Sequence, residues 1–255
     1  MHNLNDQDLN NIHYKHRKSL NYNLKLIANY KATSHLIELK KIKKGHFLVE
    51  ERKNVHGIYF ILKGKVKVFN EGFDDKIKIL RLVSKGEIVG LSSLNASHYW
   101  SSAIVVEDVD VYFIGLKNLK IILKTNIKLS FLFVNALALK LQHYEMRQKY
   151  LSLFQSAERI IDALLLIAYK FGEKTSEGLE ISVCTSRKDI AAFSNTTKEN
   201  VIRTLSKLKD NELILIEGKK ITIKNKEALI GKLKEYIKLK NSKIDFDFFY
   251  PNLFY

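Results

Sequence analysis

The sequence predicts an α+β protein: a β-rich N-terminal part, one long helix, and a C-terminal part of short helices closed by a strand pair. Two observations predict this class. From about residue 40 to residue 115 apolar residues alternate, as in "HGIYFILKGKVKVFNEG" with Ile58, Phe60 and Leu62, then Val66 and Val68; after Gly115 they recur at helical spacing. Gly45, Gly57, Gly64, Gly72, Gly86 and Gly90 punctuate the first stretch, and short strands bounded in this way read as an all-β sandwich or barrel.

The elements follow in order. Residues 1–23 are polar and Asn-rich, a loose or short helical lead-in, and "NLKLIANYKATSHLIEL" (23–39) sets Leu24, Ile27, Leu36 and Leu39 at spacings that fit helical turns. "SAIVVEDVDVYFIG" continues the β part, and "LKNLKIILKTN" reads as a short helix. "IKLSFLFVNALALKLQHYEMRQKYLSLF" then runs on without Gly or Pro, and Val134, Leu137, Leu141, Tyr144, Gln148 and Leu151 step along it by three and four. That seam fits a coiled coil between two copies of the chain. Short as it is, with a polar Gln148, it also fits a helix packed on its own β domain, which is the expectation for the other apolar face (Phe131, Leu132, Phe133, Leu139). Ser156 is the expected N-cap of "AERIIDALLLIAYKFG", a buried helix ended by Gly172. "EKTSEG" reads as a loop, "LEISV" as a strand, and "LILIEGKKITIK" as two strands around a Glu217–Gly218 turn. Residues 226–240 read as a surface helix, and "IDFDFFYPNLFY" is an aromatic tail.

Residues 186–205, "SRKDIAAFSNTTKENVIRTL", have the grammar of a helix-turn-helix. Ser186 and Asp189 are spaced as a capping box. Ile190, Ala191 and Phe193 supply a buried side, and Asn195 stands where the turn wants a residue tolerant of left-handed backbone. Thr196 and Glu199 repeat the capping-box spacing, and Val201 and Leu205 pack the second helix on the first. The strands at 213–224 add a wing. Lys198, Glu199, Asn200 and Arg203 crowd the front of the second helix. In a helix-turn-helix that end enters the major groove, so it must carry long polar side chains while its back packs on the domain. Lys or Arg can donate to guanine, and Glu can accept from cytosine.

Composition bounds the function. At 255 residues, 46% hydrophobic and 27% charged, the chain has the length for one or two domains with real cores. Net charge is +16, but residues 156–225 contribute only 12 Lys+Arg against 10 Asp+Glu, so the excess lies mainly outside the helix-turn-helix. It is compatible with an anionic partner and equally with solvated Lys-rich faces. Cys184 is the only cysteine, which excludes an intrachain disulfide and any cluster or zinc site needing several thiolates; it reads as a small buried residue. The polar start has no secretory h-region, and the longest apolar runs fall far short of the roughly 20 residues of a membrane span. A cytoplasmic location with no membrane partner is expected.

From roughly residue 40 to 225 the chain resembles transcription regulators of the Crp/Fnr family. The order of parts matches: a Gly-punctuated β-roll ("IYFILKGKVKVF"), "GEIVG" leading to a ligand loop, a long dimer helix and a winged helix. "TTKENVIRTLSKLKDNELI" matches the family pattern Ser-Arg-Glu-x-x-x-Arg followed by Leu and a wing beginning Leu-Ile. The resemblance implies a bacterial homodimeric regulator with a cyclic-nucleotide-binding-like β-roll, partnered by double-stranded DNA and RNA polymerase. The expected divisions are 1–125 for the β-roll sensor with its lead-in, 126–155 for the dimerisation helix and hinge, 156–225 for the winged helix-turn-helix, and 226–255 for the C-terminal helix and tail.

Carried over by position, Lys198 takes the place of the family's first recognition Arg, and Glu199 and Arg203 match its Glu and later Arg. Lys in place of Arg loses the bidentate fork. Ser186 and Arg187 match the cap and phosphate-binding Arg of the first helix. Lys188 and Thr196 join this interface, Thr197 takes a Ser position within reach of a phosphate, and Lys219 and Lys220 lie at the wing tip. In the sensor, the effector pocket expected is Gly90, Leu91, Trp100, Ser101, Ser102, Tyr144 and Glu145. Leu91 replaces the Glu that takes a ribose hydroxyl, and Ser101 replaces the phosphate-binding Arg, so a cyclic phosphate would lack its cation. Control by cyclic AMP is not expected; another small-molecule effector, or filling by Leu91, Trp100 and Tyr144, is. No cofactor is expected, and His46, His56, His98 and His143 read as surface or satisfied histidines.

Two other functions fit the residues less well. A cupin-like metalloenzyme would need a His-x-His cluster with a carboxylate, and no two histidines lie one residue apart; no catalytic residue is expected. A protein-interaction regulator with a vestigial winged helix would use the aromatic tail.

Overall fold

Strict alternation in the sequence becomes long strands in the structure, a computed structural model that describes residues 34–72 and 76–239. The lead-in with Leu24 and Ile27, and the aromatic tail, lie outside the described residues. The chain divides into two compact units, parting along the long helix between Tyr144 and Glu145.

The first unit is a six-stranded antiparallel sheet of β1 (Glu38–Ile42), β2 (Phe47–Val49), β3 (Gly57–Glu71), β4 (Ile77–Val83), β5 (Ile88–Val89) and β6 (Ser102–Gly115). The main order is β1-β6-β3-β4, with β2 on β6 and β5 on β3. β3 and β6 pair along almost their whole length, from Gly57 opposite Gly115 to Phe69 opposite Ser102. The register shifts between Ile61 and Val66, where Gly64 has φ of +89° and a Cβ would collide with the Asp108 carbonyl oxygen. A bulge there bends the sheet into a roll.

Both faces of β3 are buried. Tyr59, Ile61, Val66 and Val68 join Val83, Val105, Val109 and Val111 inside the roll. Ile58 and Phe60 face out to a second cluster that collects Leu119 and Ile122 of α1 (Leu116–Thr125) and Leu129 and Phe133 of α2 (Ile127–Leu153). Phe133 therefore packs on the β domain as expected, but Phe131 is 64% exposed; the side chains of Leu132 and Leu139 lie outside the described residues. Leu36 is buried in a short 3-10 turn, whereas Leu39 belongs to β1 and is exposed.

The second unit holds the last turns of α2, then α3 (Ser156–Phe171), β7 (Glu173–Thr175), β8 (Gly178–Ile181), α4 (Arg187–Ser194), α5 (Lys198–Asp210), β9 (Ile214–Glu217), β10 (Lys220–Ile223) and α6 (Lys226–Leu239). Its sheet runs β7-β8-β10-β9. Three sequence expectations change. Ser156 is the first helical residue rather than the cap, which is Gln155 without a side-chain bond. "EKTSEG" is a hairpin rather than a loop, with Glu173 paired to Glu180. α6 is not simply a surface helix: Leu229, Ile230, Leu233 and Ile237 are buried, and the helix packs on α3. Among the described residues no single helix is long and apolar enough to cross a membrane.

Candidate nucleic-acid interface

Local chemistry builds the helix-turn-helix. The Ser186 hydroxyl accepts from the Asp189 backbone N–H at 3.0 Å and donates to the Asp189 carboxylate at 2.6 Å, fixing the start of α4. The helix stops because Asn195 turns left-handed, with φ 51° and ψ 53°. The next cap is Thr197, not Thr196: the Thr197 hydroxyl accepts from the Asn200 N–H at 3.3 Å. Thr196 accepts instead from the Asn200 side-chain amide at 3.1 Å. That amide also reaches the Ser156 hydroxyl at 3.5 Å, so Asn200 ties the front of α5 to the start of α3.

The back of α5 is apolar and enclosed, with Val201, Leu205 and Leu208 buried, and Ile190, Ala191 and Phe193 of α4 are buried as well. Its outer face presents Lys198, Glu199, Ile202 and Arg203 to solvent. The Glu199 carboxyl is held below its ordinary range, first by its own backbone N–H and then by the Thr197 hydroxyl. It is thus ionised and can only accept, which is what a cytosine amino group requires. Ile202 is 52% exposed and was missed by the sequence reading, which assigned only polar residues to this face. Its position between Glu199 and Arg203 was the available signal, and an apolar side chain there can meet a thymine methyl.

Beside α5 stand Lys188 and Ser186, exposed, and Arg187, half-buried. The Thr185 hydroxyl donates to the Lys219 carbonyl, fastening the wing tip to the segment that leads into α4. Lys219 is exposed, and Lys220 pairs with Glu180 at 3.0 Å.

The residues expected in the effector pocket differ in burial. Gly90 has φ of +87° and starts a 3-10 turn, Leu91–Ser93, but Leu91 is buried in the apolar cluster under the sheet. Ser102 is buried and accepts from the Glu51 N–H at 2.9 Å, while Ser101 is half-buried. Trp100, Tyr144 and Glu145 are exposed.

Two cations of the first unit escaped the sequence reading. Arg81 shares the inward face of β4 with Ile79 and Val83, and its guanidinium donates to the Ile88 carbonyl at 3.0 Å. Lys140 of α2 lies in its field: burial, then Arg81, push the Lys140 ammonium well below its ordinary value of 10.5, against Glu87. The parity of "IKILRLV" carried the signal for Arg81, which falls in step with Ile79. His46, His56 and His98 are exposed and bonded locally, to Lys43, to Asn54 and Tyr59, and to Ser97; the side chain of His143 lies outside the described residues. Among the described residues no three His, Cys, Asp or Glu gather as a metal site.

Known proteins match this arrangement in both units. Residues 39–126 match the model of the cyclic nucleotide-binding domain, and residues 158–231 that of the Crp-like helix-turn-helix domain. The chain is 28% identical to the global nitrogen regulator of Nostoc sp. over 169 residues, 65% of this chain and 76% of that one. It is 27% identical to the anaerobic regulatory protein of Bacillus subtilis, covering 74% and 81%. Its fold matches a CRP-family transcriptional regulator from Thermus thermophilus with a TM-score of 0.66 at 17% identity, covering 81% of this chain and 98% of that one. A β-roll, a long helix and a capped helix-turn-helix with its wing, in this order and with both domain models matched, make the chain a member of the Crp/Fnr family of DNA-binding transcription regulators.

Proposed function

We propose that the protein binds a near-palindromic DNA site as a homodimer, with the front of α5 from each subunit in successive major grooves. The observation that carries this reading is the outer face of α5: Lys198, ionised Glu199, Ile202 and Arg203 project from a helix whose back is fixed by Val201 and Leu205. Arg203 and Glu199 read base edges; Lys198 contacts a base or a phosphate. Arg187, Lys188, Lys219, Lys220 and the hydroxyls of Ser186, Thr196 and Thr197 lie toward the phosphates, which position the protein without specifying sequence. Asn200 serves by bracing the helix.

The dimer is supported by α2. Phe131, Val134, Leu137, Leu141 and Tyr144 are all exposed large side chains of one helix, and the seam continues through exposed Gln148 and half-buried Leu151. A second copy would bury that stripe as a coiled-coil seam. RNA polymerase is the partner such a regulator meets at a promoter.

We also propose that cyclic AMP is not the effector. Leu91 stands buried where a ribose-binding carboxylate would be needed, and Ser101 offers no charge. Calorimetry with cyclic AMP tests this, and micromolar binding contradicts it.

A shift assay on duplex DNA from the protein's own promoter region, titrated with salt, tests the main reading. Several phosphate contacts give a steep fall of affinity with salt. Binding to no duplex, alongside capture of a protein partner, would support a vestigial winged helix instead.

A further inference from the structure

We infer that Arg147 is a positioning residue that hooks the last turns of α2 onto the helix-turn-helix, so that the hold on α2 sets the attitude of the DNA-reading helix. The inference deepens the DNA-binding reading and rests on it.

One side chain engages two further helices. The Arg147 guanidinium donates through Nη1 to the Asp162 carboxylate of α3 at 2.8 Å and through Nη2 to the Phe193 carbonyl of α4 at 3.2 Å. Its central carbon also lies 4.5 Å from the centroid of the Phe193 ring. All three residues belong to the second unit. The pair is enclosed, with side-chain exposures of 15% for Arg147 and 1% for Asp162.

Stability alone does not account for this arrangement. A buried ion pair is desolvated at a cost its attraction barely offsets, and apolar residues of similar volume usually serve as well or better. What a guanidinium adds is direction. Its planar fork fixes the angle between its donors, so Asp162 and the Phe193 carbonyl can be satisfied together only when α2, α3 and α4 hold one relation. The cation also meets the C-terminal end of α4, where helix carbonyls lack intrahelical partners and the dipole favours positive charge.

The place of contact matters. Phe193 is next to last in α4, Asn195 makes the turn, and α5 starts at Lys198. A shift of the Phe193 carbonyl therefore moves the turn that aims Lys198, Glu199 and Arg203. α2 is one uninterrupted helix from Ile127 to Leu153, and its earlier turns carry the exposed stripe and Lys140. Whatever grips those turns acts on a helix whose far end is hooked to α4 by Arg147.

The test uses the full chain. The double substitution Arg147→Met with Asp162→Leu removes the ion pair and both donors but leaves the core filled, so folding is retained. Arg147→Lys keeps the charge and loses the fork. Spin labels at exposed Lys149 of α2 and Lys209 of α5, in a Cys184→Ser background and diluted with unlabelled subunits, report the relation of the two helices. The double variant should broaden that distance distribution, and its affinity for a selected DNA site should fall about tenfold with random-sequence affinity unchanged. Arg147→Lys should show both effects in smaller measure. A distance distribution and site affinity like those of the parent would overturn the inference, leaving Arg147 a structural residue only. If the parent itself bound no duplex, the DNA-binding reading would fail while the distance measurement still decided the hook.

Discussion

Arg203 stands one helical turn after Glu199 on the outer face of α5, with Ile202 beside it. Substituting Arg203 by Ala should remove about 1–3 kcal/mol of base discrimination while leaving random-sequence binding nearly intact. Competition between a selected site and random duplex measures it; an equal loss on both would make Arg203 a phosphate contact. Lys140 gives a second prediction at this scale. The folded protein releases its proton well below 10.5, whereas the unfolded chain keeps it up to about that value. Between the two the unfolded state binds more protons, so this residue makes stability rise with pH across that window. Lys140→Met should flatten the rise, read from denaturant unfolding at several pH values; parallel curves would contradict it. Residues differed in how well the sequence revealed them. Ser186 and Asn195 act through neighbours three or four positions away, so their roles were legible. Thr196 and Thr197 both offer a cap, and the choice depends on how the chain leaves the left-handed turn at Asn195, which the capping-box spacing alone does not decide. Arg81 and Lys140 meet only through the fold.

Among the elements, α2 has the most to gain from a partner. Leu141 is 58% and Tyr144 61% exposed on a helix whose first turns are anchored by buried Leu129 and Phe133. Leu141→Glu would leave the folded subunit nearly untouched, since the site already faces water. It would put two like charges into a symmetric seam and remove apolar burial from both copies, about 3–6 kcal/mol in all. Sedimentation should show monomer with unchanged helix content, and a retained dimer would move the interface elsewhere. The helical period of α2 was legible, but not which of its apolar residues face out: Phe131 and Phe133 differ only by their place around the axis relative to the sheet. α6 shows the same limit. Leu229, Leu233 and Ile237 recur every fourth residue, yet only the presence of α3 turns that stripe into core. The hairpin at Glu173–Ile181 was illegible because a polar edge strand carries no alternation.

For the whole molecule, the order of parts was readable because each carries its own period and turn chemistry, and both domain models match. The pairing of Arg81 with Lys140 was not readable, because the two come from a strand and a helix far apart in sequence. The central claim is that α5 reads DNA by sequence and that two copies do so together. Selection of bound duplexes from a random pool, with and without cell extract as a source of effector, tests this most directly. The account predicts a near-palindrome whose half-site centres lie about one helical turn apart, roughly 34 Å. A pool that emerges with no enriched sequence under either condition would contradict it.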